Sequence, residues 1–394
     1  MLKNKRLLLF TVLTFLAFTF IYSVNPAQDS AHTQLPATEE HAVAADAHGE
    51  AAHAEAGHAT EGHGEEKLNA GKIIMEHIAD AHGWHLWGHT EIPLPVILYN
   101  GERGLSIFSS ARFDHGHKTY GGYMLEEGKV VAVNETGELD AHSATINEEL
   151  TAATTDISIT KNVMTLFIVI IVMMWMFTSV AKAYTNKRKG LAPTGLQNAI
   201  EPIIIFMRDE VIKPSIGPKY EKFLPYLLTV FFFIWISNLL GLIPVFPGGA
   251  NLTGNISIAM TLAVFTFLIV TVNGNKNYWE HVFAMPGVPK GILLLLTPIE
   301  IIGMFLRPFV LMIRLFANIT AGHIIALSFF CLIFIFGQNG MGVGLAVSPL
   351  SLVFTIFMTT LELLVAFLQA YVFTMLSAVY IGAAVEEHHG HDHH

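Results

Sequence analysis

The chain has 394 residues, of which 52% are hydrophobic and 14% are charged, whereas a typical soluble protein has about 25% charged residues. This deficit indicates a membrane protein. The only cysteine, Cys331, lies inside an apolar run, which excludes a disulfide framework and any multi-cysteine metal or redox site. No basic cluster accompanies a recognition motif, so nucleic acid is not an expected partner.

The formal net charge of −10 is the sum of two unlike parts. Between Gln28 and Thr160 there are 22 acidic and 6 basic residues. The 163 residues from Phe223 to Val385 contain seven charged residues, namely Lys276, Glu280, Lys290, Glu300, Arg307, Arg314 and Glu362. A soluble fold needs a more polar surface, so we expect the second part to lie in lipid.

Residues 1–27 have the pattern of a secretory signal. Lys3, Lys5 and Arg6 precede an apolar run from Leu7 to Val24, as in the charged and apolar regions of such signals. An uncleaved membrane anchor is the alternative, because the run is long for a signal core and no clean small-x-small site follows it. Both interpretations place the next residues outside the cytoplasm.

The extracytoplasmic part is predicted to have two sections. Residues 28–66 are mostly Ala, Gly, Glu and His, and we expect disorder because they cannot bury enough apolar surface to offset ordering entropy. Residues 67–160 contain Trp84 and other aromatic and aliphatic residues among Gly and Pro, with alternating runs such as Lys129 to Val133. This composition predicts a small, partly β extracytoplasmic N-terminal module.

Residues 161–385 contain five apolar stretches near or above the roughly 20 residues that cross a bilayer. They are Asn162 to Ala181, Phe223 to Val245, Ile256 to Asn273, Gly291 to Phe336 and Ala346 to Val385. The predicted fold class is therefore an all-α polytopic membrane protein. The loop after the first stretch is rich in Lys and Arg, and such loops stay in the cytoplasm. The N-terminal region is thus predicted outside, and the His-rich tail at 386–394 inside.

Within that basic loop, apolar residues recur at helical spacing from about residue 195 to 213. Charged residues occupy the other side. This pattern predicts an amphipathic helix lying at the membrane surface. Its apolar positions are Leu196, Ile200, Ile203, Ile204, Met207 and Val211.

The fourth stretch is too long for a simple crossing. Its 46 residues would form a helix about 69 Å long, roughly twice the thickness of a hydrocarbon core, so it either breaks or tilts steeply. At about 100° per residue, four polar residues share one stripe of this helix, namely Glu300, Arg307, Arg314 and Asn318. His323 faces the opposite way from Arg314. In the fifth stretch, Glu362 and Gln369 share a face.

Arg314 lies near the middle of its stretch, where a charge costs roughly 2.5 to more than 10 kcal/mol. An ionisable residue at such a depth is by default part of a transport pathway. The alternative is a structural ion pair of Arg314 with Glu362 or Glu300. Arg307 could snorkel to the cytoplasmic interface, and Glu300 could mark a helix start. His323 could satisfy a local hydrogen bond or, with Glu362, pass protons along an aqueous inlet.

Three strings closely resemble the a subunit of rotary F-type ATP synthases: MIRLFANITAGH (Met312 to His323), NLLGLIP (Asn238 to Pro244) and LELLVAFLQAYVFTMLSAVYI (Leu361 to Ile381). The resemblance covers about Thr155 to Glu387. It implies that the last two stretches form a long, tilted helical hairpin packed on a c-ring. It also implies a proton-translocating stator subunit without catalytic, cofactor or metal sites, in a bacterial inner membrane. The implied partners are the c-ring, the b subunits of the peripheral stalk and the other synthase subunits.

The resemblance implies roles for single residues. Arg314 stands where the family has an essential arginine that faces the ring carboxylate between two offset half-channels. Asn318 and Gln369 match polar neighbours that line the same route, and Glu300 matches the acidic residue of the cytoplasmic half-channel.

Two positions differ from many bacterial members. His323 stands where these have Glu, and Glu362 where they have His, so the exchanged pair is similar to the mitochondrial arrangement and keeps one acid and one base in the inlet. Gly241 stands where some members have an acid, so no further carboxylate is expected there.

The rival functions are a metal-binding or metal-transport membrane protein and a secondary transporter. His48, His53, His58 and His63 recur every five residues, and the tail from His388 to His394 adds five histidines. Five residues rotate a helix by about 140°, so the four histidines from His48 to His63 form no single ligand stripe. A weak, flexible and nonspecific chelator fits this segment, as does a solvated acidic spacer or a pH-responsive tether. A secondary transporter would show paired, Gly- or Pro-broken helices in corresponding halves, and the sequence has no such pairing.

Overall fold

The computed structural model describes residues 79–87, 90–126, 128–185, 193–243, 246–285, 287–338 and 340–386, with Gly71 and Ile74. The predicted signal or anchor at 1–27, the predicted disordered segment at 28–66 and the histidine tail beyond residue 386 lie outside the described residues. Those three assignments stay predictions.

Short strands lie between residues 83 and 156. They are β1 Gly83–Trp87, β2 Thr90–Pro93, β3 Pro95–Asn100, β4 Gly104–Ser109, β5 Tyr123–Glu126, β6 Lys129–Ala132 and β7 Thr154–Asp156. β1 pairs with β2, β3 lies between β4 and β7, and β5 pairs with β6. All of these pairings are antiparallel. A short helix, α1, spans Glu148–Ala152.

Alternation along β3 builds a small core for these strands. Val96 and Leu98 are fully buried, whereas Tyr99 is exposed, because successive strand residues point to opposite faces. Phe113, Tyr123 and Ala132 complete the core. We call residues 79–160 the β-module.

The remainder is helical. The helices are α2 Lys161–Thr185, α3 Leu196–Phe206, α4 Lys213–Ile216, α5 Tyr220–Gly241, α6 Ile256–Asn273, α7 Lys276–Ala284, α8 Lys290–Gly337 and α9 Met341–Val385. Among the described residues, five helical segments are long and apolar enough to cross a membrane, in agreement with the five predicted stretches. The chain is therefore a polytopic membrane protein.

The predicted amphipathic helix is present, but its apolar side is largely covered by protein. α3 continues through a π-helical segment, Met207–Ile212, into α4. Ile200, Met207 and Val211 are buried in the core between the helices. α9 approaches this region so closely that a Cβ atom on Gly382 would overlap the carbonyl group of Ser215.

α8 and α9 form a long hairpin that turns at Gly340, where φ is +130°. α8 is a single helix of 48 residues that continues through Pro298 and Pro308, so the break considered from sequence is absent. In the apolar 18-residue core of α8, only 11% of the residues are buried within the chain, and in that of α9 only 17% are. In the segment that ends with α5 the corresponding share is 56%. The hairpin therefore presents a large apolar surface.

Buried polar contacts join the β-module to α2. Oδ1 of Asp80 accepts the backbone N–H of Asn162 at 3.0 Å, and the backbone N–H of Lys161 donates to the carbonyl of Ala81 at 2.8 Å. A carboxylate at a helix N-terminus satisfies a free N–H group and complements the helix dipole. Asp80 therefore fixes where α2 begins.

A buried pair, His82 and Asp156, makes the stability of the β-module depend on pH. Nε2 of His82 lies 2.9 Å from Oδ2 of Asp156. Burial disfavours the charged imidazole, but the hydrogen bond and charge of Asp156 outweigh it, so the pKa of His82 lies above its usual 6.5. Burial also disfavours the ionised carboxylate, yet the hydrogen bond from His82 outweighs it, and the pKa of Asp156 lies below its usual 3.8.

We expect this pair to stabilise the β-module most between pH 3.8 and pH 6.5. The stability contributed by His82 is complete below pH 6.5 and disappears as the pH rises through the raised pKa of His82. The stability contributed by Asp156 is complete above pH 3.8 and disappears as the pH falls through the lowered pKa of Asp156. Hydrogen exchange of the β3 and β7 amides should show that His82→Gln loses protection mainly inside this window. An equal loss in alkaline buffer would contradict the expectation.

Candidate functional site

An acid and a base meet between the two hairpin helices. Nδ1 of His323, on α8, lies 2.8 Å from Oε1 of Glu362, on α9, and the two side chains are 18% and 7% exposed. Despite this short separation, Oε1 has no well-aligned hydrogen bond among the described residues. A close pair with spare hydrogen-bonding capacity can exchange a proton with an added water or carboxylate.

A second polar pair lies between one and two helical turns away. Nδ2 of Asn318 donates to Oε1 of Gln369 at 3.0 Å. Gln369 is buried, and its Nε2 has no partner among the described residues. Its amide therefore retains a donor that a water molecule or a neighbouring group can use.

Arg314 differs from these residues because its side chain is exposed on the apolar surface of α8. Within the described part of the chain it has no hydrogen bond or ion pair, and Glu362 is in contact with His323 instead. The structural ion pair considered from sequence is thus absent. At 1.5 Å per residue, Arg314 lies about 14 Å along the helix from His323 and about 10 Å from Arg307.

Arg307 and Glu300 form a separate group toward the start of α8. The guanidinium carbon of Arg307 lies 5.5 Å from the ring centre of Tyr380 on α9. Tyr278 of α7 is buried beside both charges, and burial raises the pKa of its hydroxyl, with Arg307 lowering it and Glu300 raising it further. Tyr278, Arg307 and Tyr380 line a cavity with room for about one water molecule.

Asn238 of α5 is a residue of the site that spacing alone did not identify. Its Nδ2 donates to the carbonyl of Ala366 on α9 at 3.1 Å, and its Oδ1 accepts the hydroxyl of Thr253. Asn238 is buried, and a buried polar residue in an otherwise apolar helix was the available signal. It ties α5 to α9 close to Glu362.

Two glycines leave space around the acid and the base. A Cβ atom on Gly322 would lie 3.3 Å from Oε1 of Glu362, and one on Gly241 would lie 3.7 Å from Nε2 of His323. Gly241 is the position where some relatives were expected to have an acid. A side chain there would reach His323 directly.

The structure therefore separates the predicted site residues into three levels along the hairpin. Arg314 forms the middle level. On one side of it, four polar side chains meet between α8 and α9, namely His323, Glu362, Asn318 and Gln369. Glu300 and Arg307 lie on the other side. Among the described residues, no group of three His, Cys, Asp or Glu side chains could hold a metal ion, and the histidine-rich segments lie outside those residues.

Comparisons with known proteins match two parts of the chain. A family model described as ATP synthase A chain matches residues 163–382. A second model, described as a domain of unknown function, matches residues 73–157. The two matches meet close to the junction between the β-module and α2.

Curated relatives carry the same name. ATP synthase subunit a 2 of Chlorobaculum tepidum is 46% identical over 244 residues, which cover 61% of this chain and 66% of the relative. ATP synthase subunit a of Chlorobium phaeobacteroides strain DSM 266 is 45% identical over 244 residues, or 60% and 68%. That of Anaeromyxobacter sp. strain Fw109-5 is 38% identical over 279 residues, or 67% and 64%.

The chain thus spans about two thirds of the length of the curated relatives that it matches. The family model covers more than half of the chain and includes all of α5, α6, α7 and α8 and most of α9. These helices contain every residue of the three levels. The chain therefore belongs to the ATP synthase A chain family, the a subunits of F-type ATP synthases.

Proposed function

We propose that this chain is the stator subunit that exchanges protons with the carboxylates of a rotating c-ring through two offset half-channels, and so couples proton flow to ATP synthesis. The observation that carries this proposal is the exposed Arg314 on the apolar face of the hairpin. A lone arginine facing lipid would be costly, whereas one facing a carboxylate on another subunit would be paired. The names of the relatives support the same function.

The proposed role of Arg314 is to hold a ring carboxylate in its ionised form. A guanidinium does not deprotonate in a protein, so Arg314 itself does not carry the proton. At about 4 Å and an effective dielectric constant near 20, it favours the ionised carboxylate by about 4 kcal/mol, or about a thousandfold. A protonated ring site that arrives at Arg314 therefore releases its proton. The same fixed charge repels protons and separates the two half-channels.

The outer half-channel is proposed to pass His323 and Glu362. The pair lies between α8 and α9, about one turn from Thr320, whose hydroxyl donates to the carbonyl of Gly254 in the loop between α5 and α6. Asn318 and Gln369 continue the polar route from the pair toward Arg314.

The inner half-channel is proposed to pass Glu300, near Arg307 and Tyr278. This end of the bundle also contains Asn275, whose Nδ2 donates to the carbonyl of Val385 at 2.8 Å, and Lys222, which donates to Asn273 at 2.6 Å. The ends of α6 and α9 and the start of α5 therefore meet here.

The proposed orientation places the β-module outside a bacterial inner membrane and the end of α9 in the cytoplasm. Trp84 of the β-module contacts the loop between α5 and α6, and residues 247–255 of that loop contain no basic residue. The described basic residues that precede or begin α5, namely Arg208, Lys213, Lys219 and Lys222, lie at the opposite end of that helix. Lys and Arg in short loops mark the cytoplasmic side.

Purification of the full chain from its membrane tests this proposal against a metal-binding protein or a secondary transporter. We expect it to co-purify with a ring of small membrane subunits, with peripheral-stalk subunits and with ATPase activity that acidifies vesicles. Recovery of an isolated homodimer with no ATPase would contradict the proposal.

A further inference from the structure

The β-module is fastened to the membrane helices at a second place besides α2. Trp84 of β1 is 3% exposed, and its Nε1–H donates to the carbonyl of Gly248 at 3.0 Å in a buried contact. Its ring packs edge-on against Phe246, with centroids 5.1 Å apart. Both partners belong to the described part of the α5–α6 loop, residues 242–243 and 246–255. A buried indole with a satisfied N–H is a strong anchor, because it combines a large apolar contact with a polar one.

The loop that Trp84 holds also forms one wall of the His323 and Glu362 site. The backbone N–H of Gly249, next to the Trp84 contact, donates to the carbonyl of Leu240 at 3.3 Å. Gly241 follows Leu240, and a Cβ there would face both the carbonyl of Ala250, at 3.2 Å, and Nε2 of His323, at 3.7 Å. The loop thus folds back on the end of α5 beside the histidine.

The far end of the loop contacts the same site from another side. The hydroxyl of Thr320, one turn before His323, donates to the carbonyl of Gly254 at 3.4 Å. The hydroxyl of Thr253 donates to Asn238, which in turn donates to Ala366, one turn after Glu362. A displacement of the loop would therefore be transmitted to α8 and α9 at the level of the acid and base.

The other attachment, to α2, lets the β-module connect the α5–α6 loop to the first crossing helix. Asp80, four residues before Trp84, accepts the N–H of Asn162 at the start of α2. Between the two attachments, Nε2 of His82 is hydrogen-bonded to Oδ2 of Asp156, and Nδ1 of His82 lies 3.2 Å from the carbonyl oxygen of Gly128. The loop is thereby tied through β1 to the first crossing helix.

We propose that the domain matched at residues 73–157 positions the wall of the outer half-channel, and that Trp84 is the positioning residue through which it acts. This proposal rests on the proposed function of the helical part. Trp84 does not touch the transported proton. It fixes the α5–α6 loop, and the loop fixes the distance and hydration of His323 and Glu362.

The test compares Trp84→Phe and Trp84→Ala with a matched control, Tyr99→Ala, in the assembled complex. Phe keeps the ring contact with Phe246 but removes the N–H donor to Gly248. Tyr99 is an aromatic residue of the same module that is 53% exposed. Hydrogen exchange at the amide of Gly249 is the first readout, and the pH profile of proton conduction is the second.

We expect both Trp84 variants to exchange the Gly249 amide about tenfold faster, as for one lost anchoring bond, and to shift the pH profile of proton conduction, with the larger effect in Trp84→Ala. Tyr99→Ala should match the wild type in both. Unchanged exchange in both Trp84 variants would overturn the proposal, as would faster exchange with an unshifted pH profile. Neither outcome depends on Arg314, whereas coupled pumping that survives Arg314→Ala would overturn the proposed function itself.

Discussion

Replacing Arg314 with Ala is expected to reduce ATP-driven proton pumping about a thousandfold, to the level of the membrane leak, because about 4 kcal/mol of stabilisation of the ionised ring carboxylate is lost. ATP hydrolysis by the detached catalytic head should continue at its normal rate. Acidification of inverted membrane vesicles measures the first quantity, and phosphate release by the head measures the second.

A matched arginine provides the control for this variant. Arg208 lies on the π-helical segment and pairs with Asp209 at 2.8 Å, with both side chains partly exposed. Such surface pairs contribute little, so Arg208→Ala should pump normally. Intact coupled pumping by Arg314→Ala would show that this arginine has no role in proton exchange.

Replacing Glu362 with Gln is expected to slow proton transport and to change its pH profile, because the inlet then has no carboxylate beside His323. The contact of 2.8 Å between the two side chains also predicts that His323→Gln and Glu362→Gln are not additive, since residues in direct contact couple. Initial rates of proton uptake across a pH series, for both single variants and the double variant, measure both effects.

Glu280→Gln is the control for the loss of a carboxylate. Glu280 lies on α7, is exposed and faces Lys276 at 3.5 Å, so its removal should leave the profile unchanged. A normal profile in Glu362→Gln would identify Glu362 as a packing residue. Strict additivity of the two site variants would show that the acid and base act independently.

Hydropathy predicted the crossing helices closely, because a predominantly apolar run of about 20 residues or more matches the thickness of a hydrocarbon core. The fourth stretch, predicted from residue 291 to 336, is α8 from Lys290 to Gly337. α9 begins at Met341, five residues before the predicted start. Two glycines follow Met341, and glycine is usually a poor helix residue. Here Gly344 is required, since a Cβ atom on it would lie 2.9 Å from Cα of Gly337.

The pairing within the site depended on more than helical spacing. The spacing placed His323 on the far side of α8 from Arg314. The association of His323 with Glu362 came from the family resemblance and from the chemistry of an acid and a base, and spacing alone did not give it. The contacts of His323 with Glu362 and of Asn318 with Gln369 are set by the register of α8 against α9. That register depends on packing along the whole hairpin. The helical periodicity of one stretch does not determine how it aligns with another helix.

Contacts between the β-module and the helices were beyond prediction from sequence for a similar reason. Trp84 and Gly248 are 164 residues apart, and neither belongs to a motif. Composition indicated a partly β module, and alternation indicated strands such as β6. The module meets the α5–α6 loop through a buried indole, whose neighbours only the folded chain defines.

The central claim, that the face of α8 around Arg314 meets the ring carboxylate, is tested most directly by disulfide cross-linking in the assembled complex. Val310 and Ala317 are exposed on α8 within one turn of Arg314. Val310→Cys and Ala317→Cys, each combined with Cys331→Ser and a cysteine beside the ring carboxylate, should cross-link efficiently. Ile171→Cys, on the exposed surface of α2, should not. Efficient cross-linking at Ile171 with none at Val310 or Ala317 would contradict the account.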